Sequence, residues 1–83
     1  MSQFEKLLMK LLRGGSDASF AFGDLRYILV HLGFTERTHG SHHTFRKPGI
    51  EDKVTLVYGK EVKPYQVRLV RDVILKYKLG GYE

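Results

Sequence analysis

Residues 34–58 read FTERTHGSHHTFRKPGIEDKVTLVY, and the order of residue types in this stretch decides the fold. Gly40-Ser41 permits a tight turn, and Pro48-Gly49 interrupts the chain a second time. Between these breaks the composition favours extended backbone, because residues either alternate in polarity or are rich in β-branched and aromatic types. The extended segments cover residues 34–39, 42–47 and 53–58. The stretch therefore predicts a meander of three short antiparallel strands.

Apolar residues on both sides of this meander recur at i, i+3 and i+4, which is typical of helices with one buried face. The predicted helices cover about residues 4–12, 23–32 and 64–79. Gly14-Gly15 ends the first helix, and Gly33 closes the second. Pro64 suits the first turn of the third helix, and Gly80-Gly81 suits its end. The element order α-α-β-β-β-α predicts an α+β fold with helices on one face of the sheet and the other face open.

The length and composition indicate one domain, which we expect to extend over residues 1–83. Residues 1–19 add a helix and a loop, and the apolar stripe of that helix should dock on the core. The chain has no cysteine, so neither disulfides nor thiolate metal sites can support the fold. Charged residues interrupt the N-terminal apolar segment, and no segment reaches membrane-spanning length. We therefore expect a cytoplasmic protein that makes no use of a membrane.

The positive charge is concentrated in one part of the sequence. Residues 37–83 carry ten Lys or Arg against five Asp or Glu, which accounts for the whole formal charge of +5. A basic half on a small domain is typical of proteins that bind phosphate groups or an acidic partner. An ordinary solvated surface with a high pI is the simpler alternative.

Three of the four histidines lie within five positions, at His39, His42 and His43. Successive side chains of a strand point to opposite faces, so His42 and His43 should lie on different sides of the sheet. Phe45 should point into the core, which places His43 toward the helices. His42 then stands on the open face, together with Arg46.

An exposed imidazole can accept and donate protons near neutral pH, which suits cleavage of RNA by its own 2′-hydroxyl group. This reaction needs no metal cofactor where cations stabilise the added charge on phosphorus. We therefore predict His42 as the catalytic residue. Gly40 lacks a Cβ, so the backbone of the turn can approach a phosphate closely. The candidate RNA-binding residues are Gly40, Ser41, Arg37, Arg46 and Lys47.

The same residues allow simpler interpretations. A histidine cluster in a strand can be an ordinary surface, and Gly40-Ser41 can be a plain turn. The spacing His39-x-x-His42-His43 could bind zinc, but it matches no helical or zinc-finger arrangement and cysteine partners are missing. A non-catalytic double-stranded-RNA-binding module is another alternative, because it uses basic helix ends and loops and needs no exposed histidine on its sheet. A domain that chiefly presents its surface to a protein partner is a third.

Four sequence features, taken in order, cover most of the chain from about residue 22 onward. They are the helix end Leu32-Gly33-Phe34, the strand Gly40-Ser41-His42-His43-x-Phe45-Arg46, the strand at residues 54–58, and Lys63-Pro64 at the start of the last helix. This combination resembles the HicA toxin family, the RNA-cleaving halves of bacterial and archaeal type II toxin–antitoxin pairs. The Gly-Ser-His-His segment alone would not be specific.

The resemblance implies a fold like that of double-stranded-RNA-binding domains and an endoribonuclease toxin that cleaves mRNA. It also implies inhibition by a cognate HicB-type antitoxin that covers the active site. The catalytic histidine of the family directly follows Gly-Ser, which is His42 in this sequence. The chain departs from the shortest family members at residues 1–19, where it has an additional helix.

Overall fold

The computed structural model describes residues 2–59 and 61–81 of the chain. Its main elements are, in chain order, α1 (Gln3–Arg13), α2 (Phe22–His31), β1 (Thr35–His39), β2 (His42–Arg46), β3 (Val54–Val57) and α3 (Pro64–Lys76). Single 3₁₀ turns follow α1 at Asp17–Ser19 and α3 at Leu79–Gly81. The predicted α+β order α-α-β-β-β-α is confirmed. From α2 onward the arrangement is that of double-stranded-RNA-binding-type domains, as the resemblance implied.

The three strands form one antiparallel sheet in the order β1-β2-β3, so β2 is the central strand. Thr38 of β1 lies opposite His43 of β2, and His43 lies opposite Leu56 of β3. Phe45 pairs with Val54 on the same side of the sheet. This register gives the sheet one apolar face and one polar face, because alternate side chains of a strand point in opposite directions.

The hydrophobic core lies between the apolar face of the sheet and the helices. Phe45 of the central strand is fully buried, as the alternation in its strand predicts. The strands add Val54 and Leu56 to this core. The helices contribute the predicted stripes, and the buried members include Leu25, Ile28 and Leu29 of α2 and Val67, Val70, Val73 and Ile74 of α3. Both helices therefore cover the same face, and the opposite face of the sheet remains uncovered.

Local hydrogen bonds fix where the helices begin. The Ser2 hydroxyl accepts from the Glu5 N–H at 3.1 Å, and the Ser2 N–H donates back to the Glu5 carboxylate at 3.2 Å. The Asp24 carboxylate in turn accepts from the Ala21 N–H at 3.0 Å at the start of α2. These bonds satisfy backbone N–H groups that have no partner inside a helix.

The last helix ends at Lys76, before the predicted end near residue 79. Lys78 has a φ of +53° and Gly80 a φ of +87°, so the backbone turns back instead of continuing the helix. This turn packs the partly buried Leu79 against the core. Tertiary packing thus ends α3 before the glycine pair. No helix in the described part of the chain is both long enough and apolar enough to cross a membrane.

The N-terminal helix docks on the core as predicted. Leu8 and Leu11 of α1 are buried, and both belong to the same core as the sheet residues. Arg71 of α3 donates a hydrogen bond to the Leu11 carbonyl at 3.0 Å. Two further bonds from Arg71 reach the two carboxylate oxygens of Asp17, at 2.9 and 3.0 Å. The hydrogen bond from Arg71 lowers the pKa of Asp17 and so keeps the carboxyl ionised. One guanidinium therefore joins α1, the following 3₁₀ turn and α3.

The docking of α1 predicts different effects for two alanine substitutions on the same helix. Leu11→Ala should lower the free energy of unfolding by about 2–5 kcal/mol, because it leaves a cavity at a fully buried site. Met9→Ala should change it by less than about 0.5 kcal/mol, because Met9 is 51% exposed. Urea unfolding followed by circular dichroism measures both. Equal effects of the two substitutions would contradict a docked α1.

Candidate functional site

The uncovered face of the sheet presents its side chains in rows that run across the strands. At the hairpin end, His39 of β1 lies opposite His42 of β2, and His42 lies opposite Val57 of β3. Arg37, Thr44 and Thr55 form the next row. Adjacent rows are about 6.6 Å apart, because a strand advances about 3.3 Å per residue. His39, His42 and Arg37 are all exposed, so the histidines and a guanidinium share one accessible surface.

A two-residue turn, Gly40-Ser41, connects β1 and β2 and makes His39 and His42 the last pair of the hairpin. Gly40 has a φ of +61°, whereas Ser41 has no positive φ, which is the pattern of a type II′ turn. A Cβ on Gly40 would meet no atom within 4 Å, so the conformation and not a lack of space favours glycine here. The Ser41 carbonyl accepts a hydrogen bond from the Tyr58 N–H at 2.8 Å, which ties the turn to the end of β3.

A depression of about 420 Å³ lies on the open face. The charged side chains in its lining are all cations, namely Arg37, Arg46 and Lys53. Over residues 2–59 and 61–81, none of these three cations takes part in an ion pair. The rest of the lining is Thr35, Thr38, His39 and Thr44. Cations without acidic partners in a concave surface produce a positive potential that suits a phosphate backbone.

A second depression, of about 460 Å³, lies at the hairpin end and is lined by His39, Gly40 and His42. His39 belongs to the lining of both depressions. The two therefore meet at this histidine, and a chain bound along the open face can contact the cations and the imidazoles together.

The structure brings five of the six predicted site residues to the open face or its turn. His42, Arg37 and Arg46 lie on the face, and Gly40 and Ser41 form the turn at its end. These placements agree with the alternation of the sequence.

Lys47 lies apart from the other predicted site residues. Its Nζ atom is 2.7 Å from the position that a Cβ on Gly33 would occupy. Gly33 directly follows the C-cap of α2, where the helix dipole favours a cation. Lys47 thus stands at a helix end on the side of the sheet away from His42.

His43 faces the helices and is held there by polar and aromatic contacts. Its Nδ1 atom lies 2.7 Å from a carboxylate oxygen of Glu36, and its ring packs edge-on against Phe22 at 4.8 Å. Glu36 also accepts from Nε of Arg26 at 2.9 Å. His43 therefore takes part in a link between α2, β1 and β2, in agreement with the structural position expected from the sequence.

The state of this link follows from its charges. The hydrogen bond from Arg26 lowers the pKa of Glu36, and the bond from His43 adds to this effect, while partial burial opposes both. Glu36 is therefore ionised at neutral pH and can only accept hydrogen bonds. Nδ1 of His43 must then carry the proton that lies between the two groups. The contact fixes both the tautomer and the orientation of the ring.

Sequence reasoning did not select His39 or Lys53, which the structure places on the open face with the predicted site residues. A signal for each was present in the sequence. Val54 and Leu56 are buried, so the same alternation places Lys53 and Thr55 on the open face. A two-residue turn at Gly40-Ser41 sets His39 directly opposite His42.

Metal binding was an alternative for the histidine cluster. The separation of His42 and His43 onto opposite faces divides the cluster that the spacing had suggested. In the described part of the chain, no group of three or more His, Cys, Asp or Glu side chains is arranged to hold a metal ion.

Comparison with known proteins identifies a family. The family model described as "HicA toxin of bacterial toxin-antitoxin" matches residues 22–76. The matched region begins with α2 and ends with α3, so it contains the whole sheet and both helices that cover it. No curated protein matches the chain, and no solved structure does.

The charge of Glu36 predicts a pH-dependent contribution to stability. Its lowered pKa means that this contribution is present above the usual glutamate pKa of about 4.3 and is lost as the pH falls through the lower folded-state value. Glu36→Gln should therefore be less stable than the wild type at pH 7, and the difference should shrink at pH 3. Urea unfolding at the two pH values measures this.

Glu51→Gln is the matched control, because Glu51 is an exposed carboxylate in the link between β2 and β3. Its difference from the wild type should stay small at both pH values. A Glu36→Gln difference that does not change with pH would show that the ionised carboxylate adds nothing to the link.

Proposed function

Because the chain belongs to the HicA toxin family and is thus the toxin of a toxin–antitoxin system, we propose that it is a metal-independent endoribonuclease that cleaves mRNA with His42 as its catalytic residue. The observation that carries this proposal is the open face of the sheet. There an exposed histidine shares one surface with three cations that have no acidic partner in the described part of the chain. The position of His42 directly after Gly40-Ser41 supports the same assignment.

Each part of this face has a task in RNA cleavage. Arg37, Arg46 and Lys53 hold the phosphate backbone and stabilise the charge that builds up on phosphorus during attack. His42 moves a proton to or from a reacting oxygen. The 2′-hydroxyl is the nucleophile, so the substrate must be RNA and not DNA. The products are a 2′,3′-cyclic phosphate and a free 5′-hydroxyl.

Cations on an open sheet also suit the control of the toxin by a partner. We propose that, in the cytoplasm, a cognate HicB-type antitoxin covers the open face and prevents mRNA from reaching His42. The charge of Arg37, Arg46 and Lys53 favours acidic groups on the surface of the antitoxin that meets this face.

Loss of the imidazole at position 42 provides the direct test of cleavage. His42→Ala should abolish RNA cleavage and growth arrest, while the circular dichroism spectrum and antitoxin binding persist, because His42 is exposed and lies outside the core. The assay uses purified protein without antitoxin, an mRNA transcript, and EDTA to remove divalent metals. Undiminished toxicity of His42→Ala would overturn the assignment.

His31→Ala is the control for the loss of a histidine. His31 lies at the end of α2 and stacks on Tyr27 at 4.0 Å, in the helical layer and away from the open face. This variant should cleave RNA like the wild type. If the wild type binds structured RNA but never cuts it, the non-catalytic double-stranded-RNA-binding module is the better description.

The cations of the open face predict the salt dependence of RNA binding. Binding is measured in the His42→Ala background, so that the RNA stays intact. Replacing Arg37, Arg46 and Lys53 together by Gln should reduce the slope of log K against log salt by about 2, since each phosphate contact to a single strand contributes about 0.7.

The matched control removes the same formal charge from the helical layer, by replacing Lys6, Arg13 and Lys78 with Gln. It should leave the slope nearly unchanged if the open face is the RNA-binding surface. Equal losses in the two triple variants would indicate that only net charge matters and would contradict this location.

A further inference from the structure

The proposed cleavage moves two protons, and a single histidine does not account for both. One group must take the proton from the 2′-hydroxyl while another gives a proton to the leaving 5′-oxygen. An imidazole is either protonated or neutral at a given moment, so one histidine does not serve as both the base and the acid in a single step. The resemblance in sequence singles out His42 alone.

The described structure places a second imidazole beside His42. His39 is its direct cross-strand partner, and both side chains are exposed on the open face. Side chains at directly opposed positions have Cβ atoms about 4.5–5.5 Å apart. Because the type II′ turn at Gly40-Ser41 has only two residues, it fixes the register of the two strands at this end. The pair is thus set by the hairpin itself.

The surroundings of the pair suit a bound phosphodiester. His39 lines both depressions of the open face, and His42 lines the one at the hairpin end. Three cations, Arg37, Arg46 and Lys53, line the depression that reaches His39. No acidic residue of the described chain lines either depression. Glu36 is bound to Arg26 and His43. Asp52 is bound to Lys76.

We propose that His39 and His42 act together as the acid and base of RNA cleavage, an inference that rests on the proposed function. The neutral imidazole of one takes the proton of the 2′-hydroxyl as the O2′–P bond forms. The protonated imidazole of the other gives its proton to O5′ as the P–O5′ bond breaks. A 2′,3′-cyclic phosphate and a 5′-hydroxyl result, and the two histidines exchange protonation states. Solvent then returns each to its starting form.

The first test compares single substitutions in the full chain. His39→Ala should reduce kcat for RNA cleavage by about 10²–10⁴-fold, the usual contribution of a general acid or base. His39→Gln keeps a polar side chain at the turn and should be equally impaired. His39→Lys keeps a positive charge but cannot exchange a proton readily near neutral pH, so it should not restore activity. Recovery of cleavage in His39→Lys would mean that His39 supplies only charge and would overturn the proposal.

The pH dependence of cleavage distinguishes a role in proton transfer from a merely structural role, because only a role in proton transfer would change the shape of the profile. The wild type should show a bell-shaped dependence of kcat/KM on pH, from one group that must be neutral and one that must be protonated. The residual activity of His39→Ala should keep only one limb of this profile. A complete bell in His39→Ala would exclude His39 from the proton transfers.

A substrate with a sulfur in place of the bridging 5′-oxygen then separates the acid from the base, because a thiolate leaves without a proton. It is made for a cleavage position mapped first with the wild type. This substrate should restore cleavage in one of the two histidine variants and not in the other. Rescue of both variants or of neither would contradict an acid–base pair.

The controls distinguish this inference from the proposed function. His31→Ala should match the wild type in every assay. If the wild type cleaves RNA and His42→Ala does not, but His39→Ala remains fully active, the proposed function stands and the pair is wrong. A wild type that cleaves no RNA without antitoxin would overturn both.

Discussion

Phe45 and His42 belong to the same central strand, and the pleat of that strand sends them to opposite faces of the sheet. The free energy gained by burying Phe45 fixes which face meets the helices. A register shift of one residue would bury the histidine and expose the phenylalanine. The core therefore determines which groups meet solvent on the other side. Packing on one face of the sheet thus determines which side chains are available for chemistry on the other.

Two ion-paired links attach the helices to one another and to the sheet. Arg71 joins α3 to α1 and its following turn, and Glu36 joins the sheet to α2 through Arg26 and His43. All of these contacts lie on the helix side of the sheet. The cations of the open face have no such partners in the described chain. Acidic side chains thus pair with Arg26 and Arg71 in the helical layer, whereas the cations that line the open face stay without acidic partners on the surface where RNA is proposed to bind.

The sequence predicted the element order, the two faces of the sheet and the exposure of His42, because each depends on local periodicity. Lys47 was a candidate RNA-binding residue, but in the structure it lies on the same side of the sheet as Phe45, apart from the other candidates. The sequence did not predict the bonds from Arg71 to Asp17 or the early end of α3. These features arise from contacts between distant parts of the chain, which leave no local pattern. His39, which we propose as a proton-transfer group, was not selected from the sequence, although its pairing with His42 follows directly from the length of the turn.

The contacts of α1 have a kinetic consequence. Arg71 binds the Leu11 carbonyl and Asp17 across separations of 60 and 54 residues. Contacts so distant in sequence close late, because a long loop must be ordered before they form. During synthesis α1 would wait for α3, which follows it in the chain. A nascent chain that does not yet contain α3 would therefore lack the packing that holds the helical layer together.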